Sequence, residues 1–380
     1  MILFIGHDAS RTGAPRSLLL IARGLHQHHG VKPVFLLKGD GPLVEEYRKL
    51  GPIFFWMPHP PRHLLQRVIR RLTGYHTKYP KRLLKRLRTL RLKAILNNTV
   101  VNGDILDHLR ALDVPIISRI PELEYAVRLF DLKGLSSKVF ANSDHFIAVS
   151  HAVKNNLISN HGIPDDRISV VHGAIESLSE ISESKEEFRQ RLGLPTDAII
   201  VGGCGSLLLR KGVDIFIQVA RQCLTDSTLN FHFVWVGGDK RSGNFIEWSL
   251  ELEKLGIAHR VLLIGETDDV SSWYSAMDVF LMPSREDPFP LVNLEAAAHG
   301  LPIIGFKGTG GTEEFVDSDN GMLVNYGDVK AMTDAIIELG LDPGRRELLG
   351  RNGATRAAQY TIDKKAALIW TILQDFAHYD

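Results

Sequence analysis

Residues 280–311 read FLMPSREDPFPLVNLEAAAHGLPIIGFKGTGG, and this stretch decides how the rest of the chain is understood. The apolar run 279–282 is short enough for a buried strand, and Pro283-Ser284 end it. Arg285, Glu286, Asp287 and Pro288 then form a loop carrying two carboxylates. Pro290 suits a first helical position, where its missing N–H costs nothing, so a helix is predicted over 290–299. Gly300 terminates it, 303–306 is the next strand, and Gly308-Thr309-Gly310-Gly311 is a glycine loop. A helix that starts at the carboxyl edge of a parallel sheet presents unpaired amides, here those of Leu291 and Val292, to an anion such as a diphosphate. Asp287 and Glu295 flank that anion site, and two acceptor-only carboxylates suit hydroxyl donors of ribose and sugar better than phosphate. A solvated helix face would also accommodate Glu295, but Leu294 before it and three alanines after it make a poor solvated face.

A second element has complementary chemistry. A strand over 198–201 runs into Gly202-Gly203-Cys204-Gly205-Ser206, followed by Arg210-Lys211-Gly212 and a helix from Val213. Glycines permit close backbone approach to phosphate, and Arg210 and Lys211 add one forked cation and one point charge. The order of these two elements resembles the signature of retaining glycosyltransferases of family 4, in the GT-B glycogen synthase-like superfamily. There an acidic residue, seven residues and a glutamate bind the nucleotide sugar; here the pair is Asp287 and Glu295, with Asp where Glu is usual. Pro290 replaces the glycine often found ahead of the Leu-Val pair.

The resemblance implies roles for further positions. Arg210 and Lys211 would hold the diphosphate, with Gly205 and Ser206 beside it. The loops after 231–236 and 261–264, through Gly237, Gly265 and Glu266, would wall the nucleobase. Gly13 and Ala14, in the loop before a helix predicted over 16–28, would reach toward diphosphate and acceptor. At Pro121-Glu122 many members carry His-Glu, which places Glu122 on the acceptor side, with Arg119 as the alternative and a structural salt bridge as the plain reading of either. Residues 170–174, VVHGA, resemble the family's hinge segment.

Composition bounds the rest. At 380 residues, 44% hydrophobic and 23% charged, the chain is globular and too long for one ordinary core. Net charge of +1 argues against general nucleic-acid binding, and two cysteines are too few for a disulfide framework, so a cytoplasmic setting is expected. The N-terminus reads as a first strand rather than a signal peptide, and no apolar run approaches the ~20 residues of a membrane span. Charge is nonetheless segregated: residues 62–93 hold twelve Lys/Arg and no Asp or Glu. Leu64, Leu65, Val68, Ile69 and Leu72, and then Leu83, Leu84, Leu87 and Leu90, recur at helical spacing. Such basic amphipathic segments lie on anionic membrane surfaces, here the inner face, or simply join a core.

The expected architecture is α/β, a GT-B chain of two Rossmann-like domains facing across a cleft. Residues 1–175 form an acceptor domain, 176–196 a Ser/Glu-rich linker, 197–358 the nucleotide-sugar domain, and 359–380 a helix returning to the first domain. The expected activity is retaining transfer of a hexose from a nucleoside diphosphate sugar, UDP-sugar favoured, to a glycan or lipid-linked acceptor in polysaccharide or glycolipid synthesis. Arg210, Lys211, Asp287 and Glu295 are its catalytic set. No cofactor and no metal are expected, because Arg210, Lys211 and the helix dipole at Leu291 neutralise the leaving diphosphate and no D-x-D cation site is evident. A sugar-nucleotide 2-epimerase on the same fold and a non-catalytic nucleotide-sugar binder are the alternatives; consumption of donor without acceptor identifies the first, and an intact Arg210, Lys211, Asp287 and Glu295 set argues against the second.

Overall fold

A computed structural model describes residues 1–57, 75–176 and 183–377. The chain divides into two compact units, one holding Met1–Ala174 and the C-terminal helix Ile362–Ala377, the other Ile175–Thr361. Among the described residues no helix is long and apolar enough to cross a membrane.

The first unit is built on strands β1 (Ile2–Gly6), β2 (Pro33–Leu37), β3 (Ile53–Phe55), β4 (Ala94–Asn98), β5 (Ile116–Ile120), β6 (His145–Ala148) and β7 (Ile168–Val170). They form one parallel sheet in the order β3-β2-β1-β4-β5-β6-β7. β1, β2, β4 and β5 are buried at every position, as expected where helices cover both faces of a parallel sheet. The order reverses between β1 and β4, and at such a switch point the loops beyond the carboxyl ends diverge to leave a crevice. Helix Gly13–His29 packs Leu18, Ile21, Ala22 and Leu25 into the core beside Phe4, Phe35 and Tyr47. It also meets the C-terminal helix so closely that a Cβ on Gly24 would lie 2.9 Å from that of Ala366.

The second unit has strands β8 (Ile199–Cys204), β9 (Phe231–Val236), β10 (Val261–Gly265), β11 (Val279–Met282), β12 (Ile303–Phe306) and β13 (Gly321–Val324). Their order, β10-β9-β8-β11-β12-β13, is that of a doubly wound nucleotide-binding sheet, with its switch point between β8 and β11. Strand β8 itself runs to Cys204 and takes in Gly202 and Gly203, so only Gly205-Ser206 of the predicted glycine loop lie beyond it, and the Asp287 loop follows β11. The two elements picked out in the sequence therefore flank one crevice.

Two further expectations change. The stretch 176–196 contains helix Lys185–Leu192, closed by a capping box between Ser184 and Glu187; the Ser and Glu that read as linker composition are also cap residues. Arg189, 4% exposed, locks this helix to the second unit by donating to Ala276 O, Thr196 O, Ala198 O and, at 2.5 Å, to Asp278. Helix Gly13–His29 begins three residues earlier than predicted, from Thr12 as N-cap. In the basic segment, Leu64, Leu65, Val68, Ile69 and Leu72 lie outside the described residues, whereas helix Tyr75–Arg88 is formed. Its Leu83 and Leu87 are buried in the unit, while Lys81, Arg82, Lys85, Arg86 and Arg88 are exposed.

Candidate active site

In the second unit, Gly212 makes the first close contact of the site. Its φ is 73°, and a Cβ there would lie 2.0 Å from the carbonyl oxygen of Pro283, so only glycine lets the segment after β8 touch the segment after β11. Arg285 bonds the two together. Its backbone N–H donates to Arg210 O at 2.8 Å, and its guanidinium donates to Leu209 O and, bidentately, to Asp214 at 2.8 and 2.7 Å. Arg210 Nη1 in turn donates to Glu286 O at 2.6 Å and stands 3.9 Å from Asp287 Oδ2, while Lys211 Nζ donates to that same oxygen at 2.5 Å. Asp287 is 5% exposed, and its backbone is held by bonds to Thr309 O and from Gly311 N. Arg210, Lys211 and Asp287 are thus brought together, with the Oδ2 of Asp287 taken up by the Lys211 ammonium.

The helix that follows runs Leu291–Ala298, with Pro290 as N-cap and not the first helical residue. Leu291 and Val292 head it, so their amides have no intrahelical acceptor. Glu295 lies one turn on and is half-buried; its Oε2 accepts the hydroxyl of Tyr274 at 3.0 Å. Nothing in the sequence reading signalled Tyr274 or Arg285, because both act through residues distant along the chain.

Gly205 is used differently from the expectation. Its N–H donates to Val236 O at 2.9 Å and its C=O accepts from Trp235 Nε1 at 3.0 Å, so its amide serves the sheet and not a phosphate. What asks for glycine there is its φ of 150°, a conformation that side chains rarely adopt. Ser206 beside it is exposed. The loops after β9 and β10 are joined by Gly237 N–H to Gly265 O at 2.9 Å and Glu266 N–H to Gly238 O at 3.0 Å, which consumes the amides of Gly237 and Glu266. The sequence contains a D-x-D triplet at Asp317-Ser318-Asp319. There Asp317 pairs with Arg356 at 2.6 Å and accepts the N–H of Asp319, which makes it a turn.

In the first unit, the positions expected near the acceptor form a buried polar cluster at the carboxyl ends of β4 and β5. Arg119 Nη1 donates to Asn98 Oδ1 at 2.9 Å, and Asn98 Nδ2 donates to Ala14 O at 2.9 Å, tying β5 to the first turn of helix Gly13–His29. Gly13 in that turn is exposed, and a Cβ added there would meet nothing among the described residues. Glu122 accepts from Thr99 Oγ1 and, at 3.4 Å, from Val100 N. Burial pushes its carboxyl up to about 7, against the opposing pull of those two donors and of Arg119. Burial also lowers Arg119, to about 10, with Glu122 opposing. Thr99 stands at φ 124°, ψ 150°, a region that a β-branched residue enters only at about 1–3 kcal/mol. Its N–H to Arg119 O and its hydroxyl to Glu122 hold it there.

The sequence matches two described families in succession: Glycosyltransferase Family 4 over residues 11–177 and Glycosyl transferases group 1 over residues 198–342. The chain belongs to glycosyltransferase family 4. Its fold is GT-B. The crystal structure of HepE from Anabaena, in complex with UDP and glucose, is similar with a TM-score of 0.83 at 20% identity, over 98% of this chain and 99% of that one. Among curated proteins, a D-inositol 3-phosphate glycosyltransferase of Acidothermus cellulolyticus is 30% identical over 244 residues, covering 62% of this chain and 54% of that protein. The lipopolysaccharide core biosynthesis mannosyltransferase LpsB of Rhizobium meliloti is 28% identical over 217 residues, 54% of this chain and 60% of that protein. The matched parts thus span little more than half the length of these curated relatives. Family 4 enzymes are retaining and metal-independent.

Proposed function

We propose that this family 4 chain transfers a hexose from a UDP-sugar to a hydroxyl of a glycan or lipid-linked acceptor, with retention at the anomeric carbon. The observation that carries this reading is the convergence of Arg210, Lys211 and the amides of Leu291 and Val292 around the switch point of the second sheet. In the reaction the bond from the anomeric carbon to the diphosphate breaks, and the acceptor oxygen bonds on the same face. The acceptor proton passes to the departing diphosphate. Charge accumulates on that diphosphate, and two cations with a helix N-terminus are suited to stabilise it. The Lys211–Asp287 bond gives Asp287 a second task beyond the sugar, aligning the ammonium that the phosphate needs. Glu295 takes the ribose hydroxyls, and Arg119 and Glu122 belong to the acceptor side. The relatives with a UDP complex, a mannosyltransferase name and an inositol phosphate acceptor support this choice of donor and acceptor classes.

Calorimetry with UDP and UDP-glucose on two variants tests the division of labour. Glu295→Gln is expected to weaken both ligands, because a carboxylate accepting two hydroxyls becomes a mixed amide. Asp287→Asn is expected to weaken the nucleotide sugar more than free UDP. Equal losses for both ligands in both variants would refute it.

The acceptor's lipid anchor is proposed from the basic segment. Exposed Lys81, Arg82, Lys85 and Arg86 surround a helix whose Leu83 and Leu87 already serve the core, so contact with an anionic membrane would be electrostatic and not insertion. Each cation near such a surface contributes about 1 kcal/mol and is screened by salt. Co-sedimentation with phosphatidylglycerol vesicles should be strong at low ionic strength and fade at high; no binding at low salt ends the proposal.

A further inference from the structure

Tyr274 belongs to none of the motifs that marked the site. It sits on helix Val270–Ala276, only 2% exposed, with its ring between Phe280, 5.8 Å away, and His299, 5.3 Å away. Packing on both sides fixes where its hydroxyl stands. That hydroxyl donates to Glu295 Oε2 at 3.0 Å and also interacts with Cys204 at the end of β8. Burial, Cys204 and Glu295 all hold the phenol well above its usual range, so it remains a donor at any working pH.

A glutamate near a helix N-terminus has a carboxylate that turns freely about its last bond, and each orientation offers its lone pairs in a different plane. A fixed donor on one oxygen removes that freedom. We propose that Tyr274 is a positioning residue that gives the nucleotide site its selectivity for ribose. It holds the Glu295 carboxylate in the plane that receives the vicinal 2′ and 3′ hydroxyls of a nucleoside diphosphate. The proposal rests on the reading of Glu295 as the ribose acceptor. Its physical basis is preorganisation: a polar group held in its bound orientation loses less on binding, and a site built for hydroxyls rejects the analogue that lacks them.

The test uses the full chain and two probes, UDP and 2′,3′-dideoxyuridine 5′-diphosphate, with affinities measured by calorimetry. The native chain is expected to favour UDP by on the order of 10-fold or more, as for hydrogen bonds to a charged group. Tyr274→Phe should bring that ratio to about 3 or less while changing dideoxy affinity by less than about two-fold, because phosphate and base contacts are untouched. Tyr274→4-fluorophenylalanine fills the hydroxyl's place without donating and serves if the phenylalanine variant does not fold; the same collapse of the ratio is expected. Tyr274→4-aminophenylalanine, which restores a donor, should recover it. A ratio that survives loss of the donor overturns the proposal, and so does an equal weakening of both ligands, the mark of a purely structural tyrosine. A native chain that does not distinguish the two ligands would instead remove the ribose reading of Glu295 itself.

Discussion

Asp287 and Glu122 are carboxylates of the same standing in two different units. Each follows a strand of a parallel sheet past its carboxyl end, and they are 5% and 8% exposed. Asp287 touches a cation, Lys211 Nζ at 2.5 Å, with Arg210 behind it. Among the described residues Glu122 touches neutral donors, the hydroxyl of Thr99 and the amide of Val100, and feels Arg119 through space. The difference is one of contact and not of depth: Asp287 meets an ammonium, whereas around Glu122 a hydroxyl and an amide leave burial dominant and push its carboxyl up to about 7.

Removing the contacting cation should break the comparison most severely. Lys211→Ala, and separately Arg210→Ala, are expected to lower turnover by about 100-fold or more, measured as UDP release from UDP-glucose. Near-native turnover in both would take the diphosphate role away from them.

The Glu122 side can be sharpened by titration. Its folded value, about 7, lies above the 4.5 of the free group, so between those values the folded chain keeps a proton that the unfolded chain has released. Stability therefore falls as pH rises through that window, by about 3 kcal/mol in all, and is flat below it. The stability difference between the native chain and Glu122→Gln, followed by denaturant titration from pH 4 to 8, should carry that slope. A difference independent of pH would mean that Glu122 is solvated or paired.

A smaller effect isolates the neutral donor. Thr99→Val removes the hydroxyl that Glu122 accepts and keeps the branched shape, at about 1–3 kcal/mol. Thr99→Ser keeps the hydroxyl and should stay within about 0.5 kcal/mol of the native chain. Equal losses for the two would assign the cost to the backbone at φ 124° and not to the Glu122 bond.

Much was decided by the sequence alone, for local reasons. Runs such as Ile2-Leu3-Phe4-Ile5 and Val279-Phe280-Leu281-Met282 are buried strands because a parallel sheet covered on both faces accepts nothing else. The helix after Pro290 and its stop at Gly300 were legible for the same reason: a proline-led helix start and a glycine with positive φ are properties of single residues and their neighbours. The spacing of Asp287 and Glu295 could likewise be read along one loop and one helix. The partners of those carboxylates could not. Lys211 reaches Asp287 across 76 residues of sequence and Arg285 reaches Asp214 across 71. Tyr274 reaches Glu295 across 21, and the hydroxyl of Thr99 reaches Glu122 across 23. Whether a buried carboxylate meets an ammonium or a hydroxyl depends on which strands the sheet order sets side by side, and no local pattern in the chain encodes that order.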